Sequence, residues 1–144
     1  MSAETTESLK NIPLFQGLDH RHLGVIARTA FERSFQPGDT IVKQGEPGLG
    51  MYMIRSGEVE VLHRHGDQEE QLATRGKRDV FGELVLLTDF PRSASVCATE
   101  PTTCLVPTAW NVRAELEQSA EMANYLLKVV ARRLAELEQR VAKE

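Results

Sequence analysis

The sequence predicts an α+β domain dominated by β structure: a jelly-roll-like β-roll of the double-stranded β-helix kind, with flanking N-terminal and C-terminal helices. Three observations carry this. Between Phe31 and about Val106, short runs alternate apolar and polar residues between regularly spaced turn signals. On either side, apolar residues recur at helical spacing. The 144 residues, 41% hydrophobic and 26% charged, fit one domain (1–144) whose core needs no disulfide staples.

Taken in order, Ile12, Pro13, Leu14 and Phe15 form an apolar knot closed by Gly17. Asp19 then stands as N-cap before HRHLGVIARTAF, in which Leu23, Ile26 and Ala27 share a face. Turn signals at 36–39 (QPGD), 45–50 (GEPGLG), 56–57 (SG), 65–67 (HGD) and 100–101 (EP) bound the strands of a roll spanning about 31–106. The strands are expected at 40–43, 51–55, 58–62, 71–74, 93–99 and 102–106. FGELVLL, 81–87, breaks the alternation and reads as a single helical turn set between strands.

Pro107 and Thr108 open a short helix that runs to about Glu117. Ser119 caps a longer one reaching about residue 142. Along it Met122, Leu126, Val130, Leu134, Leu137 and Val141 recur at three- and four-residue steps, widened by Tyr125 and Val129. At ~35 Å this helix is longer than a small roll needs. Part of its stripe is therefore expected to meet a second copy, as a homodimer; the alternative is a stripe folded wholly onto its own domain.

The charge balance, 17 basic against 21 acidic residues, argues against binding nucleic acid through the phosphate backbone. No window approaches a membrane-spanning apolar run, and MSAETTESLK lacks a basic-then-apolar signal pattern. A cytoplasmic protein with no membrane partner is the expectation. Cys97 and Cys104 flank ATEPTT, and a hairpin turning between Glu100 and Pro101 would set them opposite each other. Buried free thiols are the expected state.

The stretch FGELVLLTDFPRSASV, 81–96, is the candidate for chemistry. A Gly, an acid, one helical turn and then an Arg at a strand start can cradle a phosphate, because helix-terminal N–H groups favour an anion. Arg92 adds a bidentate, charge-assisted pair that a Lys cannot reproduce. Ser93 offers a hydroxyl, and Gly82 lets the backbone approach closely. Glu83 repels a phosphate but suits a ligand that also carries a hydroxyl, such as a ribose. The bland alternative pairs Glu83 with Arg92 on a loop.

Here the chain resembles the cyclic nucleotide-binding domains of the catabolite-activator and protein-kinase-A regulatory-subunit type. The matching segments are IVKQGEPG (41–48), MYMIRSGEVEV (51–61), FGELVLL (81–87) and PRSASV (91–96), in the family's order and spacing. The resemblance covers about 8–142. It implies a roll that holds a 3′,5′-cyclic nucleotide in a phosphate-binding cassette at 81–96, cAMP favoured over cGMP, with no other cofactor. By the same resemblance Arg92 would hold the cyclic phosphate and Glu83 the ribose 2′-OH. Ser93 and Ala94 would add phosphate contacts, and Gly82, Leu84 and Val85 would line the cassette backbone. Met53, Val59, Val61 and Leu62 are available to wall sugar and base, or are ordinary core.

The likeness departs in places. Leu49 stands where many relatives have Asp, followed by Gly50. The run ARRL, 131–134, resembles one in the catabolite activator, and its second Arg, Arg133, would pair with Glu83. The hydroxyl residues that contact adenine just beyond that run are here Leu137 and Glu138. No Ser/His/Asp or Cys/His set stands out, so a non-enzymatic sensor that signals through its C-terminal helix is expected.

Two other readings compete. Gly57, His63, His65, Glu69 and Gly76 fit the first cupin motif, which would make a metal-dependent enzyme of His63, His65 and Glu69. The second cupin motif is missing, since the remaining histidines are His20 and His22. Alternatively, the chain is the regulatory part of a transcription factor. Catabolite-activator relatives carry a helix-turn-helix after the long helix, and with the chain ending at Glu144 no direct DNA binding is expected.

Overall fold

Asp19 Oδ1 accepts the His22 N–H at 2.9 Å, capping α1 (His20–Thr29) and turning its Leu23, Ile26 and Ala27 inward. The same backbone hydrogen bond is the main reason the Asp19 carboxyl titrates below its ordinary range. The computed structural model describes residues 9–10, 15, 18–48, 50–82, 91–107 and 109–143. Of the expected helical turn at 81–87, residues 83–87 lie outside them, and Phe81, where that turn is expected to begin, is a strand residue. Most of the apolar knot at 12–17 also lies outside, though Phe15, from that knot, is buried.

The strands are β1 (Phe31–Phe35), β2 (Thr40–Val42), β3 (Tyr52–Ser56), β4 (Val59–His65), β5 (Gln68–Arg75), β6 (Val80–Phe81), β7 (Ser95–Ala98) and β8 (Thr102–Val106). They form two antiparallel four-stranded sheets, ordered β1-β8-β3-β6 and β2-β7-β4-β5. This is the mainly β roll with flanking helices that the alternation predicts.

Period-two alternation divides the core in two. Tyr52 and Ile54 of β3, with Cys104 and Val106 of β8, pack in the roll beside Ile41, Val59, Phe81 and Val96. Met51, Met53 and Leu105 turn the other way, onto Leu23, Ile26, Val112, Met122 and Leu126 of the helices. The central strands of the first sheet are thus covered on both faces. Truncating a side chain such as Ile54, fully buried, costs about 2–5 kcal/mol.

β1 is a strand that alternation does not announce. Among the described residues it lies at a sheet edge and pairs with β8 alone, and it buries only Phe35 of its five residues. β4 and β5 run further than expected, to a two-residue turn at Gly66 and Asp67 with His65 opposite Gln68. The expected hairpin at 100–101 does not form. β7 and β8 belong to different sheets, so the connection crosses the roll and Cys97 does not face Cys104. Gly57 admits that crossing: its φ is +100°, and a Cβ there would come within 2.5 Å of the Pro101 carbonyl oxygen. Both thiols are free, Cys104 buried and Cys97 half-buried.

Helices α2 (Ala109–Gln118) and α3 (Ala120–Lys143) close the chain, with Ser119 Oγ accepting the Met122 N–H at 3.2 Å. His22 and Glu115, both largely buried, join α1 to α2 through Nδ1 and Oε2. The stripe of α3 divides. Met122 and Leu126 are buried against the domain, whereas Leu134, Leu137 and Val141 are 54–64% exposed. The alternative of a stripe folded wholly onto its own domain is thereby removed. Among the described residues, no helix is long and apolar enough to cross a membrane.

Candidate functional site

Arg92 lies just before β7, where the chain enters the second sheet. Its guanidinium donates from Nη2 to the Gly50 carbonyl oxygen at 2.6 Å and from Nη1 to the Gly82 carbonyl oxygen at 3.1 Å. Gly50 precedes β3 and Gly82 follows β6, so two strands of the first sheet aim one cation carried by the second. Gly82 has φ +79°, which turns its carbonyl toward Arg92 at little steric cost only because it lacks a Cβ.

Beside this cation is a cavity of about 330 Å³, lined by Thr40, Ile41, Val42, Lys43, Glu46, Pro47, Tyr52 and Arg92. That volume lies at the lower end of what small-molecule sites occupy. Tyr52 is the aromatic residue among those that line it. The Tyr52 ring stacks on Phe81 with centroids 5.0 Å apart and planes 2° from parallel. The stack fixes Phe81, and with it Gly82. A half-buried guanidinium at an open, partly apolar hollow can neutralise one anionic charge without a metal ion.

Of the residues picked out from the sequence, Gly82 and Arg92 come together. Ser93 is exposed and Ala94 half-buried, in the bend that follows Arg92. Glu83, Leu84 and Val85 lie outside the described residues, as does the Arg133–Glu83 pair, although Arg133 stands on α3. Val59 and Val61 belong to the roll interior, whereas Met53 packs toward the helices and cannot wall the hollow. Leu62 is half-buried and in neither cluster. Sequence reasoning missed the Gly50 carbonyl, because backbone acceptors leave no residue signal. It missed the Tyr52–Phe81 stack, since their pairing depends on β6, too short to be read.

The residues of the cupin alternative do not converge. His63 Nδ1 and His65 Nε2 are 2.8 Å apart on one face of β4. Glu69, however, stands opposite Arg64 in the register and pairs with its Nη2 at 3.6 Å. Alternation puts Arg64 and its partner on the other face. Among the described residues, no group of three or more His, Cys, Asp or Glu side chains could hold a metal ion.

The two-sheet roll thus holds an arginine clipped to two main-chain carbonyls beside its hollow. The profile of the cyclic nucleotide-binding domain matches residues 32–119, and the chain belongs to that family. It is 36% identical over 130 residues to the cyclic AMP receptor protein of Thermus thermophilus, covering 89% of this chain and 60% of the relative. It is 41% identical over 91 residues to a cAMP-dependent protein kinase regulatory subunit of Colletotrichum orbiculare, covering 63% of this chain and 23% of that one. Among solved structures, the Thermus thermophilus catabolite activator protein superposes with a TM-score of 0.80 at 33% identity, over 90% of this chain and 62% of its own. The regulatory domain of Toxoplasma gondii PKA, crystallised with cAMP, shares the fold at TM-score 0.81 and 22% identity, over 91% of this chain and 50% of its own. The chain thus spans less than two thirds of each of these relatives.

Proposed function

We propose that this cyclic nucleotide-binding regulatory domain is a cAMP sensor that performs no chemistry on its ligand and signals through α3. The observation that carries this is the Arg92 guanidinium, clipped by Gly50 and Gly82 at the edge of the hollow. In this reading Arg92 meets the cyclic phosphate and Glu83 the ribose 2′-OH. Ser93 and Ala94 extend the phosphate contacts, and Gly82, Leu84 and Val85 line the cassette. Arg133 reaches Glu83 from α3. A cyclic phosphodiester carries one negative charge, which one guanidinium balances.

Transmission is supported by the alternation in β6. Phe81 faces the roll and stacks on Tyr52, while its neighbour Val80 packs against the cluster that contains Met122 and Leu126 of α3. A ligand that tightens the cassette repacks Leu84 to Leu87 and biases α3 through this two-sided strand. The switch needs different affinities in its two states, commonly about 1–3 kcal/mol of coupling. The receiver is a second copy of the chain. Leu127, Leu134 and Val141 recur every seven residues with Leu137 between, and all four are exposed in the single chain.

Calorimetric titration with cAMP and cGMP tests the reading. Wild type is expected to bind cAMP more tightly than cGMP, and Arg92→Ala to weaken cAMP binding about tenfold to a hundredfold. Glu83→Ala is expected to weaken it less. Unchanged affinity in both variants overturns the site, and tighter binding of cGMP overturns the preference.

A further inference from the structure

The loop between β2 and β3 is fastened to the residue that carries the guanidinium. Gly45 N–H donates to the Arg92 carbonyl at 2.8 Å, and Arg92 N–H donates to the Glu46 carbonyl at 2.9 Å. Gln44 anchors this loop. Its main-chain N–H donates to Ser95 Oγ at 2.9 Å. Its side-chain amide pairs with a single peptide position of β4: Oε1 accepts the Arg64 N–H at 2.8 Å, and Nε2 donates to the Arg64 carbonyl at 3.2 Å.

The sheet order explains why that amide is needed. β7 lies between β2 and β4, but its pairing with β4 ends at Ser95 opposite Leu62. Before Ser95 the chain bends out of the sheet and brings Arg92 to the hollow. Two residues beyond Leu62, at Arg64, β4 meets the Gln44 amide instead of β7. A primary amide offers a donor and an acceptor side by side, so it replaces the peptide of the departed strand. The ammonium of Lys, the carboxylate of Glu and the thioether of Met cannot supply both.

We propose that Gln44 is a positioning residue for Arg92: it fills the gap left where β7 departs and fixes the point from which the guanidinium reaches the ligand. The proposal rests on the reading that Arg92 meets the cyclic phosphate. Its test is calorimetric titration with cAMP of wild type, Gln44→Met, Arg92→Lys and the double variant, with a thermal melt of each. Gln44→Met is expected to weaken binding about fivefold to tenfold in the wild-type background and not at all beside Arg92→Lys. Wild-type affinity in Gln44→Met overturns the proposal. So do effects that multiply in the double variant, because a side chain that merely stabilises the fold acts independently of Arg92. Wild-type affinity in Arg92→Lys overturns the phosphate reading itself. Should Gln44→Met not fold, Ser95→Ala cuts one bond to the same loop. It is expected to weaken binding about twofold to threefold, only where Arg92 is present; no change overturns the proposal.

Discussion

The Arg92 guanidinium occupies the space that Gly82 leaves by having no side chain: a Cβ on Gly82 would lie 2.4 Å from Arg92 Nη1 and 3.2 Å from its Cζ. Glycine at this position therefore serves the arginine as much as the turn. Because Nη1 is the far end of a flexible side chain, an added methyl displaces the guanidinium before it breaks the sheet.

Gly82→Ala is accordingly expected to weaken cAMP binding by about tenfold, close to the effect of losing the arginine. Its stability loss is smaller, about 1 kcal/mol for an L-residue at φ +79°. Titration calorimetry beside urea denaturation separates the two. A variant that loses stability yet binds cAMP normally shows that Arg92 does not depend on this gap.

Much of this arrangement is legible in the sequence, because hydrophobic alternation and turn residues report which side chains are buried. They place six of the strands and both C-terminal helices. What they miss is what burial does not mark. β1 has four exposed side chains of five, and β6 is two residues long. The Cys97–Cys104 hairpin is misread because the turn at Glu100 and Pro101 looks the same whether the chain returns to its own sheet or crosses to the other. At the site, Arg92 and Gly82 are visible as residue types, whereas the carbonyls that aim the guanidinium belong to the backbone and exist only after folding.

The division of the α3 stripe predicts a clean separation of assembly from folding. Leu134 is 55% exposed, so Leu134→Glu is expected to convert a dimer to a monomer in sedimentation with its melting temperature in dilute solution little changed. Met122, fully buried on the same helix, behaves oppositely: Met122→Ala is expected to cost about 2–5 kcal/mol. A monomeric wild type at all concentrations removes the dimer.

The His22–Glu115 pair bolts α1 to α2 with little solvent around either side chain. Removing one partner leaves the other buried without its counterpart, so Glu115→Ala is expected to cost about 2–4 kcal/mol in urea denaturation. Glu115→Gln keeps a hydrogen bond and costs less. In the double variant with His22→Ala the losses fall short of their sum, because both act on one contact. Strict additivity shows that the two side chains stabilise the helices independently.

Alkaline pH probes the roll interior. Burial pushes the Cys104 thiol up to about 11 from an ordinary value near 9, against the opposing pull of Arg33, its neighbour across β1 and β8. The native protein then keeps this proton over a range in which the unfolded chain has released it. Stability from this group is complete below about pH 9 and declines as the pH rises toward about 11. Cys104→Ala removes the titration and, by leaving a small void, lowers stability at neutral pH. The gap between wild type and Cys104→Ala is therefore expected to narrow with rising pH, which urea midpoints measured from neutrality to about pH 11 follow directly. A gap that stays constant means the thiol ionises as readily inside the roll as in water, so that the core around Ile54 and Val106 admits solvent.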